Sequence, residues 1–391
     1  MENKIAIKVS EVITPIEKIS KVYVLISSER IEKIVSWKNK IDKEYEIIDY
    51  SNYICAPGYI DIHTHGCYGY SVMDNKIESI LKISENLLKH GVTSFLPTTL
   101  SAPIDELSSV LKNISLAMKT SNHGAEILGA YVEGPYISKE KAVAQNVLFV
   151  REPNIEEFEE LFKIYEKNIK VITIAPEIPN AIDFIKNAKK HGVIVAAAHT
   201  NANYEEAIVG FNAGITLCSH FFNGMRNFHH RDPGIVGAAL INQNVYCEII
   251  ADMIHLHPCT IKLTLLAKGI DKVILITDSI PATGLPNGYY ELEGLKIIVK
   301  DGISKRVDTG GLAGSTLTMD EAVKNMVNKI GVDIKDAIKM ATLNPAKAIG
   351  ERERGVISPG AIANLVILDK DLNVISTFIK GRKVYDEVTL R

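Results

Sequence analysis

From residue 57 onward the chain alternates short, nearly unbroken apolar runs with stretches in which apolar residues recur every three or four positions. The runs are "YIDIHTH", "TSFLPTT", "EILGAYVEG", "KVITIAPE", "VIVAAAHT", "GITLCSH", "VYCEIIAD" and "KVILITD". Each has the length and the β-branched content of a strand buried on both faces. Between them, "IESILKISENLLKHG" and "DFIKNAKKHG" carry the helical period and end in Gly, a common helix stop. Eight apolar strands, most separated by a helix, predict an α/β fold in the form of a closed (β/α)8 barrel of the TIM type. An open doubly wound sheet is the rival, but no GxGxxG follows the first strand.

The flanks have another texture. The first ~55 residues read as short strands, "KIAIKV", "KVYVLIS", "RIEKIVSW" and "YEIIDY", and strand patterns return after Ile349 in "GVISPG", "ANLVILD" and "NVISTFIKGRKVYD". The expected organisation is therefore a small β-sandwich built from residues 1–56 and 354–391, beside a barrel spanning residues 57–353. "KHGV" occurs twice, at residues 89–92 and 190–193, as a recurring helix-stop-then-strand solution. His90 and His191 then sit at helix C-termini, where the dipole favours them, outside any chemistry.

Net charge of -3 argues against a nucleic-acid binder, so an anionic ligand needs a local basic group. The five cysteines have no CxxC spacing, which suits a reducing compartment. "MENKIAIKVS" lacks the apolar core of a signal peptide, and no apolar run is long enough to span a bilayer. A cytoplasmic protein without membrane partners is the expectation.

The polar residues at the ends of the predicted strands carry the chemistry. His63 and His65 in "DIHTHG" are two apart on a strand, so they project from one face with Asp61 behind them. Glu133 ends the third run, His199 the fifth and His220 the sixth; Asp252, with His255 just beyond, ends the seventh and Asp278 the eighth. In a barrel of this kind the site lies at the C-terminal strand ends. Imidazoles and carboxylates gathered there suit Zn²⁺ or another borderline divalent ion, whose bound water has a pKa near ~7. Hydrolysis is the natural chemistry, with Asp278 the candidate to take a proton from water and pass it to the leaving group. Glu177, closing "IAPE", is either a rival ligand or an orienting partner.

Together "APGYIDIHTHG", "AYVEGPYIS", "AAHTNA", "SHFFNGMRNFHHRDPG", "TDSIPATGLPNG", "LAGSTLTM" and "ATLNPAKAIG" resemble the amidohydrolase superfamily, in the branch that deacetylates N-acetylated sugar 6-phosphates. That resemblance implies principal metal ligands Glu133, His199 and His220, with His63 and His65 holding a second ion and sharing Glu133. One or two ions per chain are implied, zinc first and iron, manganese or cobalt as alternatives. Asp278 corresponds to the acid/base. The implied partner is a small amino-sugar phosphate, its phosphate met by Arg231 and the backbone at Asn223 and Gly224. His255 would orient the amide carbonyl, Ala144 and Gln145 would line the sugar, and Leu312, Ala313 and Gly314 would close over it. Gln145 stands in "KAVAQN" where the family often has His. A homodimer is implied, because the phosphate-site Arg can come from the neighbouring subunit. Alternatives are a cyclic-amide hydrolase or a deaminase of the same superfamily, or a non-catalytic barrel scaffold.

Overall fold

The computed structural model describes residues 4–120, 124–165 and 168–387. Every one of the eight apolar runs contains a strand: β1 (Tyr59–Thr64), β2 (Val92–Pro97), β3 (Ala130–Val132), β4 (Ile169–Ile174), β5 (Ile194–Ala197), β6 (Ile215–Cys218), β7 (Tyr246–Ile250) and β8 (Val273–Ile276). Strands β3 to β8 pair in parallel, in chain order, as one curled six-stranded sheet. The pair β1–β2 is also parallel and continues through the short strand Glu126–Ile127. Parallel bridges Thr98–Tyr131 and Thr64–Ser279 join the two arcs into a ring. At the second junction Asp278 N donates to His63 O at 2.9 Å and His65 N to Ser279 O at 2.8 Å.

The intervening helices form where the pattern places them, for physical reasons that are local. In helix Ala181–Lys190 the buried side chains are Ala181, Phe184, Ile185 and Ala188, the i, i+3, i+4, i+7 stripe of a helix laid on a sheet. Helix Tyr204–Ala213 opens with a capping box: Asn203 Oδ1 accepts from Glu206 N at 2.9 Å while Glu206 accepts from Asn203 N at 2.8 Å. His191 caps the first of these helices, as expected. His90 closes a helical turn too, but it also bridges Asp320 (3.0 Å) and Tyr68 (2.9 Å).

Both chain ends share a seven-stranded sheet in the order Arg382–Asp386, Val374–Ile379, Leu365–Leu368, Glu46–Pro57, Lys4–Ile13, Lys18–Ser27, Arg30–Ser36. Alternation sorts its residues: Ile5, Ile7, Val9, Leu365 and Ile367 build a core of their own. Val366 and Leu368, one position away, face the barrel core. The strand expected in "GVISPG" does not form. Residues 355–360 turn instead, because Pro359 has no N–H to give a ladder and Gly360 adopts φ +87°.

One element was not foreseen. Between β8 and helix Met319–Asn325 the chain inserts an antiparallel sheet of Gly288–Leu292, Leu295–Lys300 and Ile303–Arg306. Its second hairpin turns at Asp301-Gly302, both with positive φ (53° and 74°), the pairing that a two-residue hairpin demands. This insertion carries Leu292 to the mouth of the barrel, and the loop after it carries Leu312 there.

A candidate metal centre at the barrel mouth

The strand ends turn sharply inward. Glu133 directly follows β3, while His199, His220 and Asp278 lie two residues past β5, β6 and β8. Those last three have φ of 44°, 29° and 51°, left-handed values that cost a non-glycine residue on the order of 1–2 kcal/mol. The strain points their side chains into one buried cluster.

Glu133 is its centre. Its Oε1 lies 2.8 Å from His220 Nε2, 3.1 Å from His199 Nε2 and 3.8 Å from His63 Nε2. Its Oε2 lies 3.5 Å from His65 Nε2. The Asp278 carboxylate stands opposite, 3.2 Å from His65 Nε2 and 3.7 Å from His63 Nε2. Two groups, His63–His65–Glu133 and Glu133–His199–His220, each bring their ligand atoms within 4.8 Å of one another.

The outer nitrogens decide what the inner ones can do. His199 Nδ1 meets Lys141 O at 2.8 Å, His220 Nδ1 meets Asn223 O at 3.0 Å and His65 Nδ1 meets Thr98 O at 3.1 Å. His63 Nδ1 meets Glu248 Oε2 at 3.0 Å. A carbonyl or carboxylate can only accept, so each Nδ1 carries the proton and each neutral Nε2 presents a lone pair inward. His63 Nε2 is buried without a hydrogen-bond partner. A divalent cation satisfies this donor set, which is the arrangement by which outer partners orient metal-binding imidazoles.

The electrostatics favour positive charge in the same place. Burial opposes ionisation of Glu133, yet His199, His220 and His63 hold its carboxyl well below the usual range. Burial also opposes charge on His63, but the carboxylates of Glu248, Glu133 and Asp278 push it up to about 10. Among the described residues no Lys or Arg lines the cavity.

Three further side chains, Glu248, Glu177 and Gln145, brace the cluster. Glu248 was missed, although a Glu inside the apolar "VYCEIIAD" is an anomaly that sequence displays. Glu177, the rival ligand, accepts from Thr200 Oγ1 and Asn201 N, both at 2.6 Å, and so braces the loop after His199 instead of joining the cluster. Gln145 donates to Glu133 Oε2 at 2.7 Å and accepts from Ser101 N at 2.7 Å. It thus fixes the carboxylate as well as lining the cavity.

Of the residues expected around a sugar, Ala144, Gln145, Asn223, Gly224, His255, Leu312 and Gly314 line the cavity, together with the unforeseen Leu100, Val143, Ile280 and Leu292. His255 is held by Asp252, Nδ1 to Oδ2 at 2.6 Å. Gly224 has φ +63°, and a Cβ there would stand 2.8 Å from His199 Nδ1, so only glycine lets the chain pass so close. Ala313 lies behind the lining, fully buried, with its N–H on Ser304 O at 3.3 Å. Arg231 lies apart from these. It is exposed and leans on His230 (2.8 Å), outside the cavity lining of its own chain. The neighbouring Arg226 holds Asp232 at 2.6 Å and fixes the loop in that outward course.

Known proteins similar to the chain in sequence and fold point the same way. A family model described as the amidohydrolase family matches residues 54–384. N-acetylgalactosamine-6-phosphate deacetylase of Escherichia coli O157:H7 is 37% identical over 84% of this chain and 87% of its own. N-acetylglucosamine-6-phosphate deacetylase of Bacillus subtilis is 36% identical over 97% of each. A mutant N-acetyl-D-glucosamine-6-phosphate deacetylase from Mycobacterium smegmatis, solved in complex with N-acetyl-D-glucosamine-6-phosphate, superposes with a TM-score of 0.92 at 27% identity, covering 98% of this chain and 99% of that one.

Proposed function

The chain belongs to the amidohydrolase family, and from that premise we propose that it hydrolyses the acetamide of N-acetylglucosamine 6-phosphate, giving acetate and glucosamine 6-phosphate. The observation that carries this is the convergence of His63, His65, His199 and His220 Nε2 on Glu133, with the Asp278 carboxylate 3.2 Å from His65 Nε2 in the lining of the same cavity. Glu133, His199 and His220 would hold the principal cation, and His63 and His65, sharing Glu133, a second. We take zinc as the resident metal. When bound, such a cation supplies a water nucleophile near neutral pH and polarises the acyl carbonyl.

The chain's own groups do the remaining work. Asp278 takes a proton from the attacking water as the C–O bond forms. As the C–N bond breaks it returns that proton to the departing sugar amine, so charge and atoms balance. His255, fixed by Asp252, orients the carbonyl oxygen. Leu100, Ile280 and Leu292 exclude water from the acyl side. Backbone at Asn223 and Gly224 receives the phosphate, completed by Arg231 of the partner subunit in a homodimer, since Arg231 stays outside its own cavity. Two units, a small β-sandwich of residues 1–56 and 354–391 and a barrel of residues 57–353, are supported by an apolar core around Ile5, Ile7, Val9, Leu365 and Ile367 that lies wholly within the two terminal segments. Five free thiols, four of them buried, suit a reducing cytoplasm. Among the described residues no helix is long and apolar enough to cross a membrane.

Acetate release from N-acetylglucosamine 6-phosphate, its galacto epimer and unphosphorylated N-acetylglucosamine tests the proposal. The gluco phosphate should react, and far faster than the unphosphorylated sugar. Silence from all three would overturn it.

A further inference from the structure

Glu248 is a fully buried carboxylate in the middle of β7, in a run otherwise made of apolar residues. A charge there costs several kcal/mol unless it is compensated. One oxygen does two things: Oε2 accepts from His63 Nδ1 at 3.0 Å and from His220 N at 3.3 Å. Among the described residues Oε1 has no hydrogen-bond partner. The Tyr131 ring packs on His63 with centroids 4.6 Å apart and leaves the imidazole little freedom to turn. The same carboxylate therefore sets the tautomer and aim of His63 and tethers the backbone of His220, a residue of the other ligand group.

We propose that Glu248 is the positioning residue of the His63–His65–Glu133 site, and that its carboxylate is what makes that site retain a second cation; this rests on the metal-centre reading above. Charge supports it independently. Three carboxylates (Glu133, Glu248 and Asp278) are buried around four imidazoles with no Lys or Arg in the cavity lining. One divalent ion leaves that set net negative; with the fully buried Asp61, whose Oδ1 accepts from His63 N at 3.3 Å, a second brings the sum to neutrality. A His63 without Glu248 could carry its proton on Nε2 instead, where it cannot bind a metal.

The test counts ions, with no substrate present. Zn²⁺-loaded protein is equilibrated against graded chelator and its zinc measured. Co²⁺ replacing zinc gives visible d–d absorption that reports the coordination of each ion. Wild type should hold two ions per chain. Glu248→Ala should hold one, with second-ion affinity weakened about 10- to 100-fold, and His63→Ala should match it. The double variant should lose no more than either single one. Glu248→Gln, which keeps the acceptor oxygen and the shape, guards against misfolding and should weaken the second ion in the same direction by less. Unchanged second-ion affinity in both Glu248 variants, or a wild type that holds one ion, overturns the inference. Acetate release by a one-ion wild type would leave the proposed function standing, whereas two ions without acetate release would leave this inference standing alone.

Discussion

Asp278 and His63 are tied together twice: the Asp278 N–H donates to His63 O at 2.9 Å, and its carboxylate lies 3.7 Å from His63 Nε2. The join between β8 and β1 thus delivers Asp278 and the histidine pair as one rigid unit. Asp278→Asn removes the proton acceptor and keeps the shape. It should lower kcat by about 10²- to 10⁴-fold with little change in KM. Metal analysis should still find the ion held by Glu133, His199 and His220. Undiminished kcat would remove Asp278 from its role.

Arg231 makes a different prediction, because it lies outside its own cavity. Arg231→Ala should raise KM for the phosphorylated sugar at least about tenfold, the loss of a charge-assisted contact of roughly 1.5–3 kcal/mol. The unphosphorylated sugar should be unaffected. Co-expression of Arg231→Ala with Asp278→Asn chains should recover activity, since one site per mixed dimer then has an intact Asp278 and an intact Arg231 from across the interface. A mixture no better than its parents would place the phosphate contact within one chain or elsewhere.

Acid stability should hinge on Glu126, which ties the barrel to the C-terminal segment. It meets Arg354 at 3.0 Å, Lys380 at 3.0 Å and Asn364 at 2.7 Å. Burial pushes its pKa up, but Arg354, Asn364 and Lys380 outweigh burial and leave it below 4.5. A lowered folded pKa means stability that is present above about 4.5 and lost as pH falls through the folded value. Glu126→Gln should cost about 1–3 kcal/mol at neutral pH, measured by denaturant unfolding, and should shrink the wild-type advantage as pH drops below that point. A cost that persists unchanged in acid would mean the contribution is packing, not charge.

How much of this was legible beforehand differs by element. The eight barrel strands were readable because nearly all of their positions are buried and most of them are apolar. The candidate ligands were readable because they sit at the ends of those runs, where polar residues need an explanation. The insertion at residues 288–306 was not, since its short half-exposed strands, such as "GYYEL", mix polar and apolar residues without a firm period. The hairpin signal in "KDG" was nonetheless available. Glu248 escaped because attention fell on strand ends, whereas its partner His63 reaches it through the barrel interior, a relationship between β1 and β7 that no local spacing encodes. The outward course of Arg231 depends on how Arg226 and Asp232 fold one loop, which is equally invisible along the chain.

The most direct measurement is anomalous scattering at the zinc edge from crystals of the zinc-loaded protein. The account predicts a peak about 2.0–2.2 Å from Glu133 Oε1, His199 Nε2 and His220 Nε2, with Asp278 facing it. A metal bound only elsewhere, with those three side chains left without it in protein that still hydrolyses the sugar phosphate, would contradict the account at its centre.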